Sequence, residues 1–124
     1  MIVREHYISQ IRPFYDSDLV KIITGIRRCG KSIILRQIMN ELEAAGNKCL
    51  FLDFDLRPVR NKIPDADALI AYIEENIGNE KVYVFLDEIQ NVREWNEAVR
   101  TIRLYHTSVF ITGSIFPDIY GILF

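Results

Sequence analysis

Three observations predict an α/β fold, a parallel sheet held between two helical layers. Short apolar, β-rich runs alternate along the chain with stretches of helical periodicity. A glycine-bounded run, Gly25-Ile26-Arg27-Arg28-Cys29-Gly30-Lys31-Ser32, lies between the first apolar run and the first long helix-like stretch. A later run, Val82-Tyr83-Val84-Phe85-Leu86, stays apolar until it ends on Asp87-Glu88, as a strand buried on both faces of a parallel sheet does. Right-handed crossovers then place helices on both faces, which makes a three-layer sandwich.

Taken in chain order, Tyr7, Ile8 and Ile11 share one face of a short N-terminal helix that stops before Pro13, and Asp16-Ser17-Asp18 turns into the first strand, Val20-Lys21-Ile22-Ile23-Thr24. Beyond the glycine run, Ile34, Ile38, Leu42 and Ala45 recur at helical spacing, Leu35 widens the stripe, and Gly46-Asn47 supplies a stop. Cys49-Leu50-Phe51-Leu52-Asp53-Phe54 is the second strand. Arg57 to Pro64 reads as a basic, proline-bounded loop: a solvated connection, with a nucleic-acid or partner contact as the alternative. Leu69, Ile70, Ile73 and Ile77 mark a helix closed by Gly78. After the Val82 strand, Asn91 with Glu94 resembles a capping box ahead of an amphipathic helix carrying Trp95, Val99 and Ile102. Trp95 is read as a core anchor rather than an adenine-stacking residue. Val109-Phe110-Ile111-Thr112-Gly113-Ser114 is the last strand.

The run from Gly25 to Ser32 fits G-x-x-x-x-G-K-[ST] at each defined position. Its chemistry belongs to the backbone: glycines let successive N–H groups turn inward around a β-phosphate, Lys31 reaches the β/γ oxygens, and the Ser32 hydroxyl ligates Mg²⁺. The following helix adds its positive N-terminal end. With Gly near 7% of residues, a chance match is on the order of one in 10⁴ to 10⁵ per position. The alternative, a flexible glycine turn with incidental basic residues, does not explain the strand and helix on either side. The pattern predicts binding of a nucleoside triphosphate, read as ATP.

The acidic pair carries the second prediction. A strand buried along its length tolerates carboxylates only at its C-terminal tip, where parallel sheets bind ligands. Asp87 there would hold Mg²⁺ through water, and Glu88 would polarise the water that attacks the γ-phosphate. The plainer alternative leaves both acids facing solvent. Thr112 or Ser114 is a candidate to touch the γ-phosphate or that water; an ordinary Thr-Gly-Ser turn is the competing reading.

With these motifs in place, the chain resembles the AAA-type P-loop ATPase family of prokaryotes whose longer members carry a separate C-terminal domain of unknown function. The likeness runs from about Val3 to Ser114, through Ile11-Arg12-Pro13-Phe14-Tyr15, Ile23 to Ser32, Phe85-Leu86-Asp87-Glu88-Ile89-Gln90 and Phe110-Ile111-Thr112-Gly113-Ser114. It implies a RecA/AAA-like P-loop NTPase sandwich with spatial strand order 5-1-4-3-2, and a sensor role for Thr112 or Ser114. Where such chains continue into a polar Asn-Ser turn, a leucine-rich helix and a Gly-Arg segment, this one reads Ile115-Phe116-Pro117-Asp118-Ile119-Tyr120-Gly121-Ile122-Leu123-Phe124. The resemblance therefore predicts a partial ATP-binding domain over residues 1–114, truncated after the sensor strand, and a divergent tail over 115–124 from truncation or frameshift. Without strand five, the first strand is expected at an edge, with Ile22, Ile23 and backbone groups exposed unless the altered tail or another chain covers them, favouring self-association or cover by other ATPase subunits. Arg100 and Arg103 are weak candidates for an arginine finger.

Composition sets the remaining bounds. A chain of 124 residues, 49% hydrophobic and 26% charged, is of the soluble globular class. A formal charge of -2 gives no global attraction to nucleic acid. Cys29 and Cys49 have no metal-site spacing, and with no signal-peptide pattern they predict reduced thiols in a cytoplasmic protein. The apolar stretch from Val109 is broken by Pro117 and Asp118 and is too short to span a membrane. Two functional alternatives stand beside an ATPase: a hydrolytically inactive nucleotide-binding or interaction module, and a small P-loop kinase, against which the consecutive Asp87-Glu88 pair argues.

Overall fold

The computed structural model describes residues 2–23 and 28–114, with side chains described from Tyr7 onward in the first segment and from Ser32 onward in the second. Predictions placed on Thr24, Gly25, Ile26, Arg27 and Ile115 to Phe124 lie outside the described residues. The elements are helix α1 (Ile2–Ile11), strand β1 (Lys21–Ile23), helix α2 (Arg28–Ala44), strand β2 (Lys48–Asp53), helices α3 (Arg57–Lys62) and α4 (Ala66–Asn76), strand β3 (Val82–Asp87), helix α5 (Trp95–Ile102) and strand β4 (Thr107–Thr112). Short 3₁₀ turns occupy Arg12–Phe14 and Ile89–Asn91.

All four strands pair in parallel in the order β1-β4-β3-β2, the 1-4-3-2 portion of the order expected from the resemblance. Parallel neighbours need crossovers, and the connecting helices cover both faces. On one face α1 and α2 bury Tyr7, Ile8, Ile34, Leu35 and Ile38 against Ile23, Phe85 and Phe110; on the other α4 and α5 bury Leu69, Ile73, Val99 and Ile102 against Val84, Leu86 and Ile111. Each such side chain contributes roughly 1.5–3 kcal/mol by leaving water. The α2 face is organised by rings in register across three strands. Phe51 stacks on Phe85 at 6.3 Å, Phe85 on Phe110 at 4.7 Å, and Tyr15 meets Phe110 edge-on at 5.8 Å.

Four expectations change. Arg57 to Pro64 is mostly helical: Pro58 sits in the first turn of α3, where its missing N–H costs no helical bond, and Arg60 donates to the Phe54 and Asp55 carbonyls at 3.1 and 2.6 Å. There is no capping box before α5. Its N-cap, Glu94, is left-handed (φ 59°) with no side-chain cap, while the Asn91 amide donates to the Phe54 carbonyl at 3.1 Å. Helix α4 ends at Ile77 in extended conformation (φ -96°, ψ 150°), so its stop does not require Gly78; the left-handed glycine is Gly46 after α2, at φ 90°. Finally, β1 is the end strand, but Ile22 and Ile23 are only 7% and 0% exposed. Side chains of a strand point to the sheet faces, which helices cover here, so a place at the end of the described sheet does not by itself expose them.

The charged side chain of Lys21 is wholly buried. Lys21 faces the α2 layer beside Phe110, its Nζ 4.8 Å from the ring centroid, donating to the Ser17 carbonyl at 2.8 Å and to Ser108 Oγ at 2.6 Å. Ser108 Oγ in turn donates to the Tyr15 carbonyl at 2.5 Å, so this cluster pins the 12–18 segment across the N-terminal ends of the strands. Burial, with help from Lys81 and against the pull of Asp16 and Asp18, lowers the amine's pKa from 10.5 to about 8. The unfolded chain therefore keeps a proton that the folded chain releases, and stability rises with pH in that interval. Relative to Lys21→Met, wild-type stability should increase between about pH 8 and 10.5, by ~1–3 kcal/mol. Denaturant melts of both proteins across that window check it; a constant difference would refute the buried-cation account.

Candidate functional site

Helix α2 begins at Arg28, so Arg28, Cys29, Gly30 and Lys31 form its first turn, and the four leading N–H groups of that helix have no intrahelical acceptor. The side chains of Arg28, Cys29 and Lys31, and all of Gly25, Ile26 and Arg27, lie outside what is described. Ser32 is the first described side chain of the motif. The face of α2 carrying Ile34, Leu35, Ile38 and Leu42 is buried, and Arg36 lies over the Phe51 ring at 4.3 Å. These contacts fix the helix's rotation and depth. They aim Ser32 at the end of β3, where its Oγ donates to Asp87 Oδ2 at 2.5 Å.

Asp87 occupies the last position of β3 and is 2% exposed. Alternation along the strand puts it on the α2 side with Tyr83 and Phe85. Its other oxygen, Oδ1, accepts from Thr112 Oγ1 at 2.5 Å, and the same Thr112 oxygen accepts from the Glu88 backbone N–H at 3.0 Å. A single hydroxyl on β4 thus ties both acids together. Glu88, also 2% exposed, is left-handed at φ 56°, ψ 55°, a conformation that costs a non-glycine residue on the order of 1–3 kcal/mol and persists where surroundings over-determine it. Its surroundings do. Glu88 Oε1 accepts from Ser114 Oγ at 2.7 Å, from the Ser114 backbone N–H at 3.2 Å and from Gln90 Nε2 at 2.8 Å.

The structure thus gathers Ser32, Asp87, Glu88, Thr112 and Ser114 at the C-terminal edge of the sheet. Thr112 and Ser114, expected to reach a phosphate or an attacking water, have their hydroxyls on Asp87 and Glu88. Gln90 is a residue that sequence reasoning passed over. Its signal was position alone, two residues beyond Glu88, and only the left-handed turn brings its amide back to the carboxylate; its own Oε1 is buried without a partner among the described residues. Arg100 and Arg103 line a groove beside β1, and Arg100 pairs loosely with Glu97 at 3.6 Å. Trp95 packs against the α4/α5 core, half-buried. Chemically, the leading N–H groups of a helix beside a hydroxyl and carboxylates suit an anionic ligand accompanied by a hard cation.

Comparison with known proteins gives the same direction. A family model described as an AAA domain matches residues 17–121. An uncharacterized protein of Haemophilus influenzae is 37% identical over 120 residues, 92% of this chain and 30% of that protein. Two uncharacterized proteins of Methanocaldococcus jannaschii are 34% identical over 95 residues and 37% over 116, covering 77% and 86% of this chain and 21% and 24% of their own length. The chain therefore spans under a third of these curated relatives. No solved structure matches. Among the described residues, no helix is long and apolar enough to cross a membrane.

The two cysteines should behave differently. Cys49 is half-buried on β2, with its thiol 4.0 Å from the Met39 carbonyl oxygen and pushed up to about 11 by burial, the charge of Glu43 adding to it. Cys29 lies in the first turn of α2, where a helix N-terminus favours thiolate. Alkylation at neutral pH, followed by peptide mass mapping, should label Cys29 ahead of Cys49, and Mg-ATP should slow the Cys29 reaction alone. Equal labelling of Cys29 with and without nucleotide would remove it from the ligand's footprint.

Proposed function

Because the chain belongs to the AAA domain family, a family of nucleotide-binding domains, we propose that it binds ATP at the N-terminal end of α2 and hydrolyses it with Mg²⁺. The observation that carries this reading is the 2.5 Å contact of Ser32 Oγ with Asp87 Oδ2. The serine that closes the glycine motif and the acid that closes the buried strand are distant in sequence, yet their oxygens meet. Both are hard donors of the kind Mg²⁺ accepts, and Mg²⁺ takes few ligands from protein, leaving the rest to water and phosphate. Ser32 and Asp87 would hold the ion, which when bound offsets phosphate charge.

The chain's own groups divide the remaining work. Backbone N–H groups from Gly25 to Ser32 and the Lys31 ammonium would hold the β- and γ-phosphates. Glu88 would accept a proton from the water whose oxygen attacks the γ-phosphorus, with the terminal P–O bond breaking toward ADP, a contribution of roughly 10²–10⁴ in rate. Thr112 keeps Asp87 and the Glu88 backbone in fixed relation, while Ser114 and Gln90 set the direction of the Glu88 carboxylate. A second reading, nucleotide binding without turnover, is favoured by the three donors already on Glu88 Oε1, since a fully engaged oxygen is a poor proton acceptor. The proposal concerns this domain; what hydrolysis would drive in proteins more than three times as long is outside it.

Two substitutions test the assignment. Lys31→Ala should weaken ATP binding, read by nucleotide titration with circular dichroism confirming the fold; unchanged affinity in a folded variant would remove the phosphate-loop assignment. Glu88→Gln should keep binding and lower Mg²⁺-dependent phosphate release by about 10²-fold or more. Equal turnover in wild type and variant would exclude Glu88 as the base, whereas binding without any wild-type turnover would establish the second reading.

A further inference from the structure

Only one end of the Gln90 amide is matched. Its Nε2 donates to Glu88 Oε1 at 2.8 Å, while its Oε1 is buried with no hydrogen-bond partner among the described residues. Charge fixes this orientation: an ionised carboxylate only accepts, so the amide nitrogen must face Glu88 and the carbonyl oxygen must face away. A buried acceptor left unmatched is costly, and such atoms mark places where water, an ion or a reactant belongs. The neighbouring hydroxyls are committed to the acids instead. Thr112 Oγ1 gives its hydrogen to Asp87 and accepts from the Glu88 N–H, and Ser114 Oγ gives its hydrogen to Glu88 Oε1. Of the other buried side-chain atoms without a partner among the described residues, Gln37 Oε1 belongs to the middle of α2 and Arg103 Nε to the end of α5. Gln90 supplies the one such atom next to the acidic pair.

Resting on the hydrolytic reading above, we infer that Gln90 is a second catalytic group, whose Oε1 accepts one hydrogen of the attacking water while Glu88 accepts the other. The distances permit this. The two ends of a primary amide are roughly 2.3 Å apart. With Nε2 at 2.8 Å from Glu88 Oε1, Gln90 Oε1 therefore lies within roughly 5 Å of that oxygen. A water donating two bonds of ~2.8 Å spans about 4.5 Å between its acceptors. Held at both hydrogens, the water presents a lone pair in a third direction, the kind of orientation that attack on phosphorus needs. In the step, the water oxygen bonds to the γ-phosphorus as the terminal P–O bond breaks toward ADP. The hydrogen on Glu88 transfers to the carboxylate; the hydrogen on Gln90 stays with the oxygen and leaves on inorganic phosphate. Gln90 itself neither gains nor loses a proton.

Three variants separate the two ends of the amide. Gln90→Met removes both, Gln90→Lys keeps an N–H donor for Glu88 without an acceptor, and Gln90→Glu keeps an acceptor without the donor. Each is compared with wild type for Mg-ATP binding by titration, for phosphate release, and for binding of Mg-ADP with aluminium fluoride, which mimics the phosphoryl group in flight with its axial water. Gln90→Met and Gln90→Lys should keep ATP affinity and KM, lose roughly 10²-fold in kcat, and lose the tighter binding of the fluoride complex. Gln90→Glu should recover part of kcat, with the acid limb of its pH profile moved to higher pH, because a second carboxylate beside Glu88 disfavours the ionised form. Should Gln90→Met fail to fold by circular dichroism, the Lys and Glu variants decide the matter between them. Wild-type kcat in Gln90→Lys would show that the amide serves Glu88 through its donor alone and would overturn the inference, as would wild-type kcat in Gln90→Met. Those outcomes leave the nucleotide reading intact. A wild type that binds no Mg-ATP, or binds it without releasing phosphate, overturns the hydrolytic reading and this inference with it.

Discussion

Strands β3 and β4 are buried at every position, and that constraint governs where this fold keeps its polar groups. A buried charge or hydroxyl without partners costs several kcal/mol, so the middle of the sheet is apolar and the polar clusters sit at its two ends. At the N-terminal end, Lys21, Ser108 and the Tyr15 carbonyl close a network around one amine. At the C-terminal end, Ser32, Asp87, Thr112 and the Glu88 N–H form a continuous chain of hydrogen bonds through α2, β3 and β4. The first network attaches the N-terminal segment; the second sets the geometry of the candidate site. The two share β4, which supplies Ser108 to the first and Thr112 to the second.

The helix that carries the glycine motif is positioned by contacts far from any phosphate. Phe51, Phe85 and Phe110 stack across β2, β3 and β4 in register, and α2 lies on that row with Ile34, Leu35 and Ile38 fully buried. Rotating α2 by one residue, about 100°, would take Ser32 away from Asp87 and put Ile33, now exposed, into the core. The far side of α2 is tied to the N-terminal segment by Arg12, whose guanidinium grips Glu41 at 3.1 and 2.6 Å, and by the Tyr15 hydroxyl on the same carboxylate at 3.0 Å. This pair is half-exposed, so its contribution is modest. Core packing sets the helix's rotation, and the ion pair adds direction.

Most of this was legible in the sequence because it depends on periodicity. Runs such as Val82 to Leu86 admit few alternatives to a buried strand, and the stripe from Ile34 to Leu42 admits few to a helix. The strand order came from resemblance, and the described strands agree with it. What escaped notice turned on backbone detail that composition does not encode. Proline in Arg57 to Pro64 looked like a loop boundary and is a helix start. Asn91 and Glu94 have capping-box spacing, but Asn91 is spent on the Phe54 carbonyl. The edge position of β1 was foreseen, whereas the burial of Ile22 and Ile23 was not, because an edge and a face are different surfaces of the same strand.

Glu88 shows why the candidate site could be named from sequence yet not drawn from it. Had the strand continued in extended form, alternation would send Glu88 to the opposite face from Asp87, toward α5. The left-handed turn reverses that direction and folds the carboxylate across to the end of β4, where Ser114 meets it. The strain is local, but what holds it is not: it rests on Thr112 at the Glu88 N–H, on Ser114 and Gln90 at the carboxylate, and through Thr112 on Asp87 and Ser32. A change at any of these positions therefore acts on both acids at once. The acidic pair is thus better understood as one unit spanning two strand ends than as two residues that happen to be adjacent.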